Sequence, residues 1–258
     1  MAFAQRLPAA FYSSVQADVR SRLAAAGLVA GVFDDPDDVA YLTGFFHFPN
    51  ERPVAVWLSS DSVVLLVPEL EREYAEHQRA AAELVSYPEF PGVRPPFTVL
   101  AAEVGAPGGP VGYGDSTTTG RLAAMRAAGF DSAVFERTDA VQAARLVKRP
   151  EEIALHREAA RITDLMLAAG RERVSHAMRG RSPLPTEAEL AALGVNIHEP
   201  PWLEDGDDSV LAHDMIVSDE PGLYVPGLAG FRISDSVLVG DGPLTAYPKN
   251  LDDIVIAS

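Results

Sequence analysis

Two apolar runs, Val54–Leu58 and Val63–Val67, stand on either side of Ser59-Ser60-Asp61-Ser62. Five residues are too few for a buried helix, and turn-forming residues bound both runs, so the segment predicts a β-hairpin. Pro68 ends the second strand. Glu69 to Ala82, with helix formers and mixed charge, then reads as a solvated helix. A chain committed to this hairpin needs further strands and helices to cover it.

The flanking sequence provides them. Phe11 to Leu28 has the spacing of an amphipathic helix, with Val15, Val19, Leu23 and Leu28 apolar and Gly27 at its end. Leu28 to Phe33 reads as a short strand, and Asp34-Asp35-Pro36-Asp37-Asp38 as a turn. Downstream come a strand at Leu84–Tyr87, a Pro-rich loop over 88–96 and a helix at Phe97–Val104. A strand at Val111–Tyr113, a helix at Thr118–Ala128 and a strand at Ala133–Glu136 follow. This alternation predicts an α/β sandwich with a mixed sheet over residues 1–140.

The grammar then changes. Pro150, followed by Glu151 and Glu152, suits the first turn of a helix. Ile153, Ala160, Ile162, Leu165 and Leu167 extend that helix to about Met178. Beyond Gly194 short strands and turns take over. The expected class is α/β (α+β), with domains over 1–140 and 141–258.

The net charge of −16 repels phosphate backbones and anionic headgroups, which argues against nucleic acid and membrane partners. With no cysteine among 258 residues, disulfides, thiolate metal sites and a cysteine nucleophile are excluded. Met1 to Ala10 has no apolar run of signal-peptide length, and a cytoplasmic protein is expected.

Four segments carry a further signal. They are Asp38-Val-Ala-Tyr-Leu-Thr-Gly-Phe-Phe46, Arg145-Leu-Val-Lys-Arg-Pro-Glu-Glu-Ile153, Ile197-His198-Glu199-Pro200-Pro201, and Asp219-Glu220-Pro221-Gly222 with Arg232-Ile-Ser234-Asp235. In this order they resemble the creatinase/prolidase/methionine aminopeptidase family, also called the pita-bread or Xaa-Pro peptidase family. The resemblance implies a creatinase-type N-terminal mixed-sheet domain followed by a truncated pita-bread domain.

The same resemblance implies a chemistry. Peptidases of the family hold two divalent metals with two aspartates, a histidine and two glutamates, and the pair activates a bridging water. The aspartates come from strands in the middle of the catalytic domain. Here Glu189-Leu190 runs almost directly into Gly194-Val-Asn-Ile-His198, so that middle is missing. The metal-binding histidine maps to Ala191 and the second glutamate to Ser234, while the first glutamate is retained as Glu220. Asp235 is a possible substitute, although alternation along the strand would point it away from the site. Creatinase hydrolyses C–N bonds without metal, but the histidine it uses also lies in the missing stretch.

The expectation is therefore a degenerate family member with no firmly bound cofactor. At most, Mn, Co or Zn would be held weakly by Glu220 and water. His198, Glu220 and Arg232 are the candidate catalytic residues, and His198, Glu199 and His47 the candidate substrate contacts. His198 would stabilise the charge of a tetrahedral intermediate and Glu220 would act as a base. The plainer roles are a hydrogen-bonded turn for His198, a loop anchor for Glu199 and a strand-end position for Glu220. Arg232 would then be an ion-pair partner of Asp235 or Glu220. A homodimer is expected from the family's habit and from strand edges left by the missing segment, with a small or dipeptide-like molecule as the possible ligand. His156, His176 and the acidic run Glu204–Asp208 read as solvated positions.

Overall fold

Leu65 and Leu66 are successive strand residues that point to opposite faces, and both are fully buried. A strand in that position needs apolar cover on both sides. The computed structural model of the chain, which describes residues 7–88, 94–130, 134–161, 212–219, 222–225, 229–232 and 235–244, shows how the cover is arranged. The chain divides into two compact units, Met1–Arg145 and Leu146–Ser258.

The first unit runs α1 (Ala9–Ala25), β1 (Ala30–Phe33), α2 (Pro36–Thr43), β2 (Ala55–Ser59), β3 (Val63–Pro68), α3 (Glu69–His77), β4 (Glu83–Tyr87) and α4 (Pro96–Val104). It continues with β5 (Val111–Tyr113), α5 (Thr119–Met125), β6 (Phe135–Arg137) and α6 (Ala140–Leu146). Six strands form one mixed sheet in the order β4-β3-β2-β1-β5-β6. The expected hairpin is present, with β2 and β3 antiparallel and Trp57 opposite Val64. β1 is antiparallel to β2 but parallel to β5, and β5 is parallel to β6.

Alternation along these strands separates two cores. Phe33, Val56, Leu58, Leu65 and Val67 face one cluster, with Val15, Val19 and Leu23 of α1, Leu42 of α2 and Val141 of α6. Val32, Trp57, Val64 and Leu66 face the other, with Phe97 and Leu100 of α4 and Leu122 and Met125 of α5. The first unit is thus a helix–sheet–helix sandwich. Gln16, a buried polar residue of α1, is satisfied by donating to the carbonyls of Leu42 at 2.9 Å and Ala81 at 2.8 Å.

Several elements differ from the sequence-based expectation, α3 among them: the helix expected to Ala82 ends at His77. Residues 36–38 form the first turn of α2 where a loop turn was expected over 34–38, because Asp35 caps the helix and Val39 and Leu42 give it apolar side chains to bury. The helix expected over Thr118–Ala128 ends at Met125 and passes into a wide turn, Arg126–Phe130, where Gly129 takes φ 121°. No apolar repeat long enough to announce α6 exists in its seven residues, yet Ala140, Val141 and Ala144 are all buried.

In the second unit a helix occupies residues 150–161, the described part of the helix expected from Pro150. Five strands follow among the described residues: β7 (Ile216–Asp219), β8 (Gly222–Val225), β9 (Ala229–Arg232), β10 (Asp235–Leu238) and β11 (Gly242–Pro243). β10 lies antiparallel between β7 and β11, while β8 and β9 form a separate antiparallel pair. Lys148 N–H donates to the Asp214 carbonyl at 3.0 Å, tying the start of this unit to the turn before β7.

Replacing Leu65 by Ala removes a fully buried side chain from the central sheet and is expected to cost about 2–5 kcal/mol. Leu70→Ala, at a position 71% exposed on α3, is expected to change stability by less than about 0.5 kcal/mol. Urea unfolding midpoints of the two variants measure the contrast.

Candidate functional site

The segment from Asp35 to His47 is built residue by residue for packing. The Asp35 carboxylate accepts from the Asp37 N–H at 2.9 Å, Pro36 opens the first turn, and Asp37 and Asp38 lie where the helix dipole favours acids. Tyr41 donates its hydroxyl to the Ala144 carbonyl at 3.0 Å, reaching α6. Thr43 Oγ1 donates to the Val39 carbonyl at 2.7 Å and accepts from the Phe45 N–H at 3.1 Å. Gly44 ends α2 at φ 75°, and a side chain there would stand 2.6 Å from the Tyr12 hydroxyl. Gln78 holds the Phe46 backbone in both directions, at 3.0 and 2.9 Å.

His47 follows directly. Its half-buried ring stacks on Phe45 with 5.5 Å between centroids. Burial lowers its pKa, against the opposing pull of Asp35, and so favours the neutral ring. Its Nδ1 is sealed from solvent and meets no hydrogen-bond partner among the described residues. A neutral ring in this position offers stacking and one remaining nitrogen, not a positive charge.

Beside it lies a carboxylate group that sequence reasoning missed. Asp34, at the end of β1, accepts from Thr117 Oγ1 at 2.5 Å and faces Arg121 Nε at 3.7 Å. Arg145 of α6 reaches Asp38 at 3.4 Å and Asp37 at 3.8 Å. Burial is the main cause that raises the Asp38 pKa to about 7, helped by Asp35 and opposed by Arg145. The signal was four acids in five residues, but Arg145, the basic partner of Asp38, is 107 positions away. A carboxyl titrating near neutrality suits proton transfer. Here, however, Gly114 packs close to Asp38 Oδ2, and two cavities of this unit, one beside Trp57 and one beside Phe97, are lined by other residues. The arrangement binds α2 to α6.

The residues singled out for chemistry fall mostly elsewhere. His198, Glu199, Glu220, Ala191 and Ser234 lie outside the described residues. Arg232 ends β9, paired with Gly222, and Asp235 opens β10 opposite Asp219. The two therefore belong to separate strand pairings. His156 is exposed on the helix over 150–161. Among the described residues, no group of three or more His, Asp or Glu side chains is placed to hold a metal ion. No described helix is long and apolar enough to cross a membrane.

Two family models match the chain: the Creatinase/Prolidase N-terminal domain over residues 16–147, and Metallopeptidase family M24 over residues 190–241. A Xaa-Pro dipeptidase of Lactobacillus delbrueckii subsp. lactis is 47% identical over 62 residues, 23% of this chain and 17% of that protein. The Xaa-Pro dipeptidase of Pyrococcus furiosus is 45% identical over 47 residues, 18% of this chain and 14% of its own length. The chain thus spans less than a fifth of the curated relatives it matches. A Xaa-Pro dipeptidase from Bacillus anthracis superposes with TM-score 0.70 at 18% identity, covering 93% of this chain and 99% of that one. The prolidase from Pyrococcus horikoshii OT3 gives TM-score 0.71 at 15% identity, covering 92% and 99%. At these identities the likeness is one of fold.

The sign of the Asp38 effect follows from its raised pKa. Between 3.8 and about 7 the folded state keeps a proton that the unfolded chain has lost, so stability falls as pH rises through that window. The Asp38→Asn variant should lack this fall. Its melting temperature relative to the parent should rise between pH 4 and pH 8, by the equivalent of up to roughly 4 kcal/mol. Paired thermal melts across that range measure the difference.

Proposed function

The chain belongs to the creatinase/prolidase family, whose N-terminal domain it matches over just over half its length, and from that premise we propose a member without dinuclear-metal peptidase activity that acts by binding and self-association. The observation that carries the reading is the donor set. A two-metal centre needs several anionic ligands to offset the charge of two divalent ions. Ala191 offers a methyl group and Ser234 a neutral hydroxyl at two of the family's ligand positions, and the match to the peptidase family is confined to residues 190–241. Glu220 is the one ligand retained in place. These residues do not fit a two-metal centre. A single Mn, Co or Zn ion, mostly hydrated, is the most that Glu220, with Asp235 nearby in sequence, would hold. The proposed partner is a second copy of the chain, and the proposed ligand is small or dipeptide-like, met by His47, His198 and Glu199.

One observation supports a second reading. The peptidase-family match takes in His198, Glu199, Glu220 and Arg232 together. On that basis the alternative is a small hydrolase of C–N bonds in which Glu220 takes a proton and His198 stabilises developing negative charge.

Calorimetric titration of metal-stripped protein with Mn, Co and Zn, alongside Glu220→Ala, tests the first reading. The expected result is no tight binding above the variant's background and no hydrolysis of Xaa-Pro dipeptides. Two tightly bound ions per chain, lost in Glu220→Ala, would overturn it. Metal-independent dipeptide hydrolysis that falls in both His198→Ala and Glu220→Ala would establish the alternative.

A further inference from the structure

A cavity of about 300 Å³ opens in the first unit between the segment preceding β2 and residues of α4 and α5. Pro53, Pro95, Pro96 and Phe97 give it apolar walls, and Arg121 is the basic residue lining it. The Arg121 side chain is only 25% exposed, and its Nε stands 3.7 Å from the Asp34 carboxylate. That distance is too long for a hydrogen bond. Its Nη1 is sealed from solvent and meets no hydrogen-bond acceptor among the described residues. A buried donor left unmet is costly, the more so on a charged group, so this nitrogen is a place where a ligand atom would gain most.

The surroundings restrict what can answer it. Thr118 also lines the cavity, and its Oγ1 accepts from the Arg121 N–H at 3.2 Å, which leaves the hydroxyl proton to donate. Asp34, only 8% exposed, already offsets part of the Arg121 charge. Glu51, 81% exposed, adds a negative charge at the mouth. A phosphate would meet repulsion from both acids and gain nothing from proline walls. A cation would be repelled by Arg121 and leave Nη1 unmet. A single carboxylate matches the planar guanidinium, and an apolar body attached to it would cover the prolines.

We propose that this cavity binds a small monocarboxylate with a compact apolar body. The carboxylate accepts from Arg121 Nη1 and from the Thr118 hydroxyl, and the body lies against Pro53, Pro95 and Pro96. The long contact to Asp34 does not lock the guanidinium, which turns Nη1 toward the ligand while keeping its buried counter-charge. The volume suits a ligand at the small end of the usual pocket range. No residue proposed above for metal or dipeptide contact takes part, so the site stands apart from the proposed function.

Benzoate is the probe, benzamide its uncharged counterpart, and inorganic phosphate the anion without an apolar body. Binding to the full chain is followed by ligand-observed NMR titration at constant ionic strength. Saturable benzoate binding is expected, with benzamide roughly tenfold weaker and phosphate unable to displace benzoate. Arg121→Lys, which keeps the charge but loses the planar fork, should weaken benzoate roughly tenfold. Ala124→Phe fills the cavity from an exposed position of α5 and leaves the Arg121–Asp34 pair in place, and it should weaken benzoate by a similar factor. Arg126→Gln, whose guanidinium lies over the Phe135 ring at 5.3 Å rather than at the cavity, should leave benzoate binding unchanged. Absence of saturation in folded parent protein would overturn the proposal, as would displacement of benzoate by phosphate. So would an Ala124→Phe variant that folds and binds benzoate as tightly as the parent, whether or not Arg121→Lys folds.

Discussion

Burial of both faces of the central strands is the constraint on which the first unit depends. β2 and β3 cannot leave either side to water, since Val56, Leu58 and Leu65 face one way and Trp57, Val64 and Leu66 the other. Helices must therefore lie on both faces, and the chain has to cross the sheet to place them. α1, α2, α3 and α6 collect on one side and α4 and α5 on the other. Apolar contact alone would leave the layers free to slide, because it is non-directional. Direction comes from a few buried polar groups: Gln16 ties α1 to the end of α2, and Tyr41 and Arg145 tie α2 to α6.

Much of this arrangement was legible because strands buried on both sides leave compact apolar runs between turn residues. The hairpin and the strand at Val111–Tyr113 were read in place, and α1 to within a few residues. Residues 34–38 were misread for a physical reason. Asp, Pro and Asp serve turns and helix starts equally well, since in both the carboxylate accepts from a backbone N–H two positions on. The decision lay downstream, in the three-residue spacing of Val39 and Leu42, both fully buried on α2. The Asp38–Arg145 pair was not legible at all. Neither residue is unusual locally, and only the folded chain brings them to 3.4 Å.

The same distinction separates two kinds of family likeness in one chain. In the stretch from Tyr41 to Phe46, each resembling residue has a packing or backbone role: a hydroxyl to α6, a core leucine, a threonine that closes the helix, a glycine at positive φ, a buried phenylalanine. Their persistence speaks for the fold. The segments around His198 and Glu220 were recognised by motif, and a motif names residue types without placing them.

Fold and chemistry can part in this way because they rest on different atoms. The pairing of β7 with β10 is a backbone ladder, with Asp219 opposite Asp235 and Val217 opposite Val237, and a ladder is indifferent to most side chains. A change of side chain leaves the hydrogen bonds of such a ladder in place. A two-metal centre has no such tolerance: each carboxylate replaced by a neutral group leaves one more positive charge uncompensated, and the remaining ligands bind more weakly. Substitution at ligand positions therefore removes metal chemistry well before it removes the strands. On the proposed reading, a chain with Ala191 and Ser234 keeps a fold that superposes on prolidases and loses the charges that would hold a pair of metal ions.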